Sequence, residues 1–313
     1  MRGPDDLTPY LQNVLGRVRD HDHGEPHELP VHAEADLGKL AVAIVGISGE
    51  ASHAGDAEFL FPIQSMSKAV VYGLAIDSVG MDEVLRHIDV EPSGDAFNRI
   101  SLDEDSNRPA NPMINAGALT AHSLVEGDDA ENRFRLIRET LSTMAGRELQ
   151  MDEECYRQEM ASNHRNLGIA HMVKALSELP DDPHDVVDGY TRQCSLSVST
   201  VELARIAATL ANDGIVPGTE ERVLSQVATR HVLSVMLTCG MYDSAGDWVS
   251  TVGIPAKSGI SGGIFGAAPG RLGLATYSPR LDKHGNSTRG QKAFHHLSTD
   301  LDLHALRTRH RDQ

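Results

Sequence analysis

An α+β fold is predicted for this chain by three observations. Strand-like text stands near the front, LAVAIVGI at 40–47, and returns between 251 and 278. From about 65 to 240, apolar residues recur at three- and four-residue spacing in segments broken by Pro, Gly and Asp, which is the spacing of amphipathic helices. Strands at both ends with helices between imply that the terminal strands pair into one antiparallel sheet with flanking helices, beside a helical lobe made by the middle of the chain.

At 313 residues and 40% apolar content the chain is expected to form one domain over 1–313 with a sizeable core. A helix and a polar connection should fill 1–36, sheet regions about 37–64 and 250–305, and a mainly helical region about 65–245. Residues 20–36, DHDHGEPHELPVHAEAD, show neither period 2 nor period 3.6 and read as a surface connection. A metal site is the sharper reading of His21, His23, His27 and His32, but no second ligand cluster stands at helical or knuckle spacing, so no metal is expected. The run at 40–47 ends in Ser48-Gly49-Glu50 and a second short segment follows to Asp56, the signature of a β-hairpin. Within the helical text, Asn111-Pro112 is a start signal with proline in the first helical position, and Ser199-Thr200-Val201-Glu202 is a capping box. Three strands, in VGIPAKSG, GGIFGAAPG and RLGLATYS, are separated by glycine and proline turns, and a last helix over about 287–305 closes the chain.

The formal charge is −17, from 28 basic and 45 acidic residues, which argues against a nucleic-acid surface and against anionic membranes. Cys155, Cys194 and Cys239 are an odd, scattered set that fits reduced buried thiols, hence the cytoplasm, better than a disulfide framework. The N-terminal MRGPDDLTPY has no apolar core and nowhere do 18 apolar residues run together, so neither secretion nor membrane spanning is indicated.

Chemistry concentrates in two lysine-centred fragments, Ser65-Met66-Ser67-Lys68 and Lys257-Ser258-Gly259, which hold two of only six lysines. The first puts a hydroxyl one helical turn from an amine, as a serine acyl-transfer enzyme without a histidine base requires. Ser65 is led in by FPIQ and followed by the apolar AVVYGLAI, placing it at a helix N-terminus where developing negative charge is favoured. An ordinary capping serine followed by a solvated lysine is the plain alternative, but a lysine in a first helical turn is electrostatically disfavoured and asks for a reason. To act as base Lys68 must have its pKa lowered by burial and by a second cation, for which Lys257 is the candidate. Tyr190 offers a hydroxyl to relay a proton, though a packed aromatic is the simpler reading of it alone. Glycines at 259, 262 and 263 allow close backbone approach, so the amide of Ile260 could join that of Ser65 as an oxyanion hole; a plain β-turn is the alternative. Asn115 sits among small residues, and Glu159 and Asn166 are seven apart, so both face one side if their helix is continuous. A carboxylate, carboxamides and tyrosines suit the ammonium and carboxylate of an amino acid.

Taken together, GDAEFLFPIQSMSKAV, EPSGDAFN, NPMINAGAL, GYTRQCSLSV, LANDGIVP, MLTCGMYDSAG, GIPAKSGISGGI and YSPRLDKHGNSTRG resemble, in order and over roughly residues 40–300, the serine-dependent glutaminases, a branch of the β-lactamase and penicillin-binding-protein superfamily. The resemblance implies a β-lactamase/transpeptidase-like fold, hydrolysis of L-glutamine to L-glutamate and ammonia through an acyl-serine intermediate, no metal or organic cofactor, and a homotetramer. Carried over, Ser65 is the nucleophile, Lys68 the base and Tyr190 the proton relay. Gln64, Asn115, Glu159, Asn166, Tyr190, Tyr242 and the backbone of Ile260, where the family usually has valine, contact substrate, backed by Lys257, Ser258 and Gly259. The family's N-terminal tyrosine, in an A-D-Y-I-P stretch, is missing; GRVRDHDHGEPHELP stands there, with His21 expected in its place. Arg99 replaces a small residue and is expected to be peripheral. A β-lactamase or peptidase would normally show S-D-N or Y-x-N where this chain has Tyr190-Thr191-Arg192. A catalytically silent scaffold is opposed by the intact Ser65, Lys68 and Tyr190.

Overall fold

The computed structural model describes residues 7–92, 102–103, 105–177 and 179–307. Helix α1 (Thr8–Val18) and the short α2 (Pro30–Ala33) lead to strands β1 (Ala41–Gly46) and β2 (Ala51–Gly55). Strand β3 (Phe61–Pro62) and a 3-10 turn (Gln64–Met66) deliver the chain into α3 (Ser67–Val79). There follow α4 (Met81–His87), α5 (Asn115–Leu124), α6 (Ala130–Ala145), α7 (Glu153–Ala161), α8 (His164–Leu176) and α9 (Pro183–Cys194). Strand β4 (Ser197–Val198) precedes α10 (Thr200–Ala211) and α11 (Gln226–Cys239), and a 3-10 turn (Tyr242–Ser244) precedes α12 (Ala245–Thr251). Strands β5 (Ala256–Ser258), β6 (Gly263–Ala268) and β7 (Leu272–Tyr277), then α13 (Thr288–Asp300), complete the order.

The main sheet runs β2-β1-β7-β6-β5, antiparallel throughout. The first hairpin is therefore joined to the last three strands, with Ala41 opposite Tyr277 and Val45 opposite Gly273, as the strand text at the two ends predicts. Alternation along β1 feeds two cores: Ala41, Ala43 and Val45 pack with α3 and α10, whereas Val42 and Ile44 pack with α1, α12 and α13. Both faces are covered, so AVAIVG reads as an unbroken apolar run instead of alternating with polar residues. Close seating of α10 on the sheet depends on Gly273, where a Cβ would lie 2.1 Å from the backbone nitrogen of Ala208.

Helix α3 is buried from Ser67 through Ile76 with α5 and α11 packed on it, which is why its text is apolar on every face. A third cluster joins α5, α8 and α9. The capping box at Ser199 and Glu202 is formed in both directions. Two boundaries differ from expectation. Asn111-Pro112 does not open a helix; Asn111 Oδ1 accepts from the amides of Met113 and Ile114, an Asx turn that delays α5 to Asn115. Helix α13 ends at Asp300, because Asp302 takes a left-handed conformation (φ 56°) and Leu303 turns its amide back to Ser298. Arg99 and most of the EPSGDAFN segment lie outside the described residues. Among the described residues, no helix is long and apolar enough to cross a membrane.

Candidate active site

Ser65 is buried in the 3-10 turn that runs directly into α3, and Lys68 follows in the first turn of that helix. The turn is held in place by β3, whose Phe61 and Pro62 pair with Val198 and Ser197 of β4. It is held open by Gln64, which has φ 53° and no glycine to relieve it. Tyr242 is a second non-glycine residue in this conformation, at φ 51°, so two strained residues flank the nucleophile, each costing on the order of 1–3 kcal/mol that surrounding packing must offset. The β5–β6 turn comes close because residue 259 is glycine: a Cβ there would stand 3.1 Å from Met66 Cε and 3.2 Å from the Ile63 carbonyl.

Lys68 is 1% exposed, and its Nζ donates to Asn115 Oδ1 at 2.7 Å and the Met113 carbonyl at 3.1 Å. Both acceptors are neutral, and burial, opposed in part by the nearby Cys194 sulfur, lowers the lysine to about 8. Asn115 passes the contact on, its Nδ2 donating to Asn166 Oδ1 at 3.0 Å. Lys257 is fully buried, donates to the Ser258 carbonyl at 2.8 Å and lies 4.2 Å from the centroid of the Tyr242 ring. Burial, then the charge of Lys68, push it well below the usual lysine range. The sequence predicts that Lys257 helps lower Lys68; the charge effect runs the other way, from Lys68 to Lys257, and Lys68 is lowered by burial.

Tyr242, which has the Ser65 hydroxyl as a neighbour, donates its own hydroxyl to the Ser258 carbonyl at 3.3 Å. Burial raises Tyr242 to about 12. Tyr190 stands beneath Lys68 Nζ, 5.9 Å from its ring centroid, and burial, then the neighbouring Cys194, raise its pKa well above the usual tyrosine range. Of the two tyrosines, Tyr242 is the one on whose acidity Ser65 acts, a link that sequence spacing gives no means of seeing.

Glu159 and Asn166 do not share a continuous helix: α7 ends at Ala161 and α8 begins at His164. They still face the same site, Asn166 through Asn115, and Glu159 through Gln64, whose Nε2 donates to Glu159 Oε1 at 3.3 Å. Burial raises Glu159 above the usual carboxylate range. Ile260 borders a cavity whose opposite side is the N-terminal segment His23–Glu28, and a Cβ on Gly285 would touch both Ile260 and Tyr242. Ser258 and Gly259 line the strand edge beside the 3-10 turn.

The N-terminal wall differs from expectation. His21 lies in a separate cavity with Trp248, His295 and His296. His32, from α2, is the histidine that reaches the site, with Nε2 3.1 Å from Gln64 Nε2. Helix α2 is docked by the Val31 amide, which donates to Gln158 of α7. Burial lowers His32 to about 4, so the ring is neutral at pH 7. Cys155, also missed from the sequence, lies 3.3 Å from Gln64 Nε2. Its only sequence signal is that it precedes Glu159 by four residues and so shares a helix face.

An antiparallel sheet built from both chain ends, with a helical lobe and a buried serine and two lysines where they meet, defines the β-lactamase-like class of folds. Comparison with known proteins narrows the class. The Glutaminase family model matches residues 25–306. A glutaminase of Corynebacterium glutamicum is 47% identical over 305 residues, spanning 96% of this chain and 74% of that protein; one of Trichormus variabilis is 42% identical, spanning 96% and 90%. A solved structure of Mglu in its glutamate form superposes with a TM-score of 0.93 at 43% identity, covering 99% of this chain and 72% of that one. A probable glutaminase of Bacillus subtilis gives 0.88 at 32%, covering 96% and 98%. This chain belongs to the glutaminase family, hydrolases that act on glutamine.

Proposed function

We propose that the chain hydrolyses L-glutamine to L-glutamate and ammonia through an acyl-serine intermediate. Ser65 Oγ attacks the side-chain carbonyl, and neutral Lys68 takes its proton. With the lysine near 8, about one molecule in ten carries the free amine at pH 7. Tyr242, still protonated at that pH, supplies a proton to the departing nitrogen and is reprotonated by Lys68, which leaves the Lys68 amine neutral again. The backbone amides of Ser65 and Ile260 receive the tetrahedral oxyanion. Water then cleaves the ester with Lys68 as base. Glu159 pairs with the substrate ammonium; Asn115, Asn166, Gln64 and Tyr190 fix the rest of the amino acid, with Ser258 and Gly259 as the supporting edge. No metal or organic cofactor is needed for this path, since hydroxyl and amine supply nucleophile and base.

The observation that carries this reading is the buried Lys68 amine donating to the Asn115 and Met113 oxygens, three residues from a buried serine. Action of the whole chain as one domain, as a homotetramer and in the cytoplasm, completes the proposal; the three buried free cysteines fit a reducing compartment. The test is ammonia release from L-glutamine by the parent and Ser65→Ala, with calorimetric titration of glutamine into the variant. Loss of turnover with retained binding is expected, because the recognition groups lie elsewhere. Turnover near the parent's rate in Ser65→Ala would exclude the acyl-serine route.

A further inference from the structure

Three metal-capable atoms converge on one wall of the site: His32 Nε2, Cys155 Sγ and a Glu159 carboxylate oxygen, all within 4.8 Å of one another. They come from distant parts of the chain, His32 from α2 and the other two from one face of α7. Between them sits the Gln64 carboxamide nitrogen, 3.1 Å from the histidine and 3.3 Å from each of the others. An NH2 group has two hydrogens, so it cannot serve three acceptors at once. The wall is thus a cluster of electron-pair donors with one donor too many for its present occupant.

We propose that His32, Cys155 and Glu159 form a binding site for a thiophilic divalent cation of the zinc type, and that occupancy of this site inhibits the enzyme. Imidazole nitrogen, thiolate and carboxylate are the ligand set such an ion selects, at about 2.0–2.3 Å from the metal. Donors that now surround Gln64 need close in by only about an ångström to reach that geometry. The ion takes the Cys155 sulfur as thiolate, its proton leaving to solvent on binding. Charge balances without further partners: two positive charges meet one thiolate and one carboxylate, so a buried neutral centre results. The cation takes the place of the Gln64 nitrogen and pushes aside the side chain next to Ser65. It also withdraws Glu159 from the substrate ammonium. The inhibitory consequence rests on the role assigned to Glu159 above; the binding does not.

Anaerobic titration of the metal-free protein with Co2+ reads the site directly, without substrate. A thiolate-to-cobalt charge-transfer band saturating at one ion per chain is expected. It should be absent in Cys155→Ala and weakened in His32→Gln, with thermal melts showing both variants folded; should Cys155→Ala fail to fold, His32→Gln carries the test. In parallel, Zn2+ should inhibit ammonia release, with half-inhibition in Cys155→Ala needing at least about tenfold more metal. No charge-transfer band in the native protein, or a band that survives Cys155→Ala, overturns the site. A band present with no effect of Zn2+ on turnover overturns the inhibition. Absence of glutamine turnover in the parent would sink the functional reading and leave the cobalt result standing.

Discussion

The chemistry at the nucleophile turns on which amine is neutral. Lys68 donates to the Asn115 and Met113 oxygens and is lowered by burial to about 8. Only its unprotonated form can accept the Ser65 proton, so kcat/KM should rise with pH, about tenfold per unit well below 8, and level off above it. Tyr242, raised to about 12, stays protonated across this range and should add no inflection there. A pH–rate profile between 6 and 10 measures this. Lys68→Arg keeps the charge but cannot yield a proton at these pH values, and its turnover should fall by about 10²–10⁴. A flat profile, or an active arginine variant, would move the base elsewhere, with Lys257 next in line because it is the other amine whose pKa burial lowers.

Elements act by bringing these residues to one place, and glycine decides how closely two of them approach. Gly273 of β7 faces α10, and a Cβ there would meet the backbone at Ala208 and Ala204 at 2.1 and 2.3 Å. Backbone cannot rotate away as a side chain can, so Gly273→Ala should destabilise the protein by about 2–3 kcal/mol. Gly16, exposed on α1 with nothing within 4 Å of a built Cβ, should behave oppositely, Gly16→Ala adding about 0.5–1 kcal/mol. Urea unfolding of the two variants beside the parent checks both signs. Much at this scale was legible in the sequence. The capping box, the first hairpin and the three C-terminal strands are written in local spacing, and Ser65 and Lys68 are a local motif. The nearness of Tyr242 to Ser65 and the meeting of His32 with Cys155 were not legible, since 123 or more residues separate the partners and neither contact leaves a periodic trace. His21 stood as the expected N-terminal wall because composition ranks all four histidines of that segment alike; only the docking of α2 on α7 through Val31 and Gln158 selects His32.

At the scale of the molecule, one sheet carries the argument: β1 pairs with β7, and β7 joins through β6 to β5, the strand that holds Lys257, so the site exists only when both chain ends are folded. That closure gathers a formal charge of −17 into a compact body. Several exposed acids have partners, among them Asp300 with Arg17 and Glu148 with Arg138, but exposed pairs contribute at most about 1 kcal/mol each. With 45 acidic against 28 basic residues, repulsion among the surplus carboxylates opposes compaction. Salt shortens its reach from about 30 Å at 0.01 M to about 8 Å at 0.15 M. The melting temperature should therefore climb steeply with sodium chloride between these concentrations and flatten above, where both the repulsion and the surface pairs are screened. Thermal scans across that series, with glutamine absent so that ligand binding does not enter, provide the measurement. A melting temperature that falls with added salt would mean that the surface ion pairs outweigh the acid surplus, and that the acidic exterior costs the fold nothing.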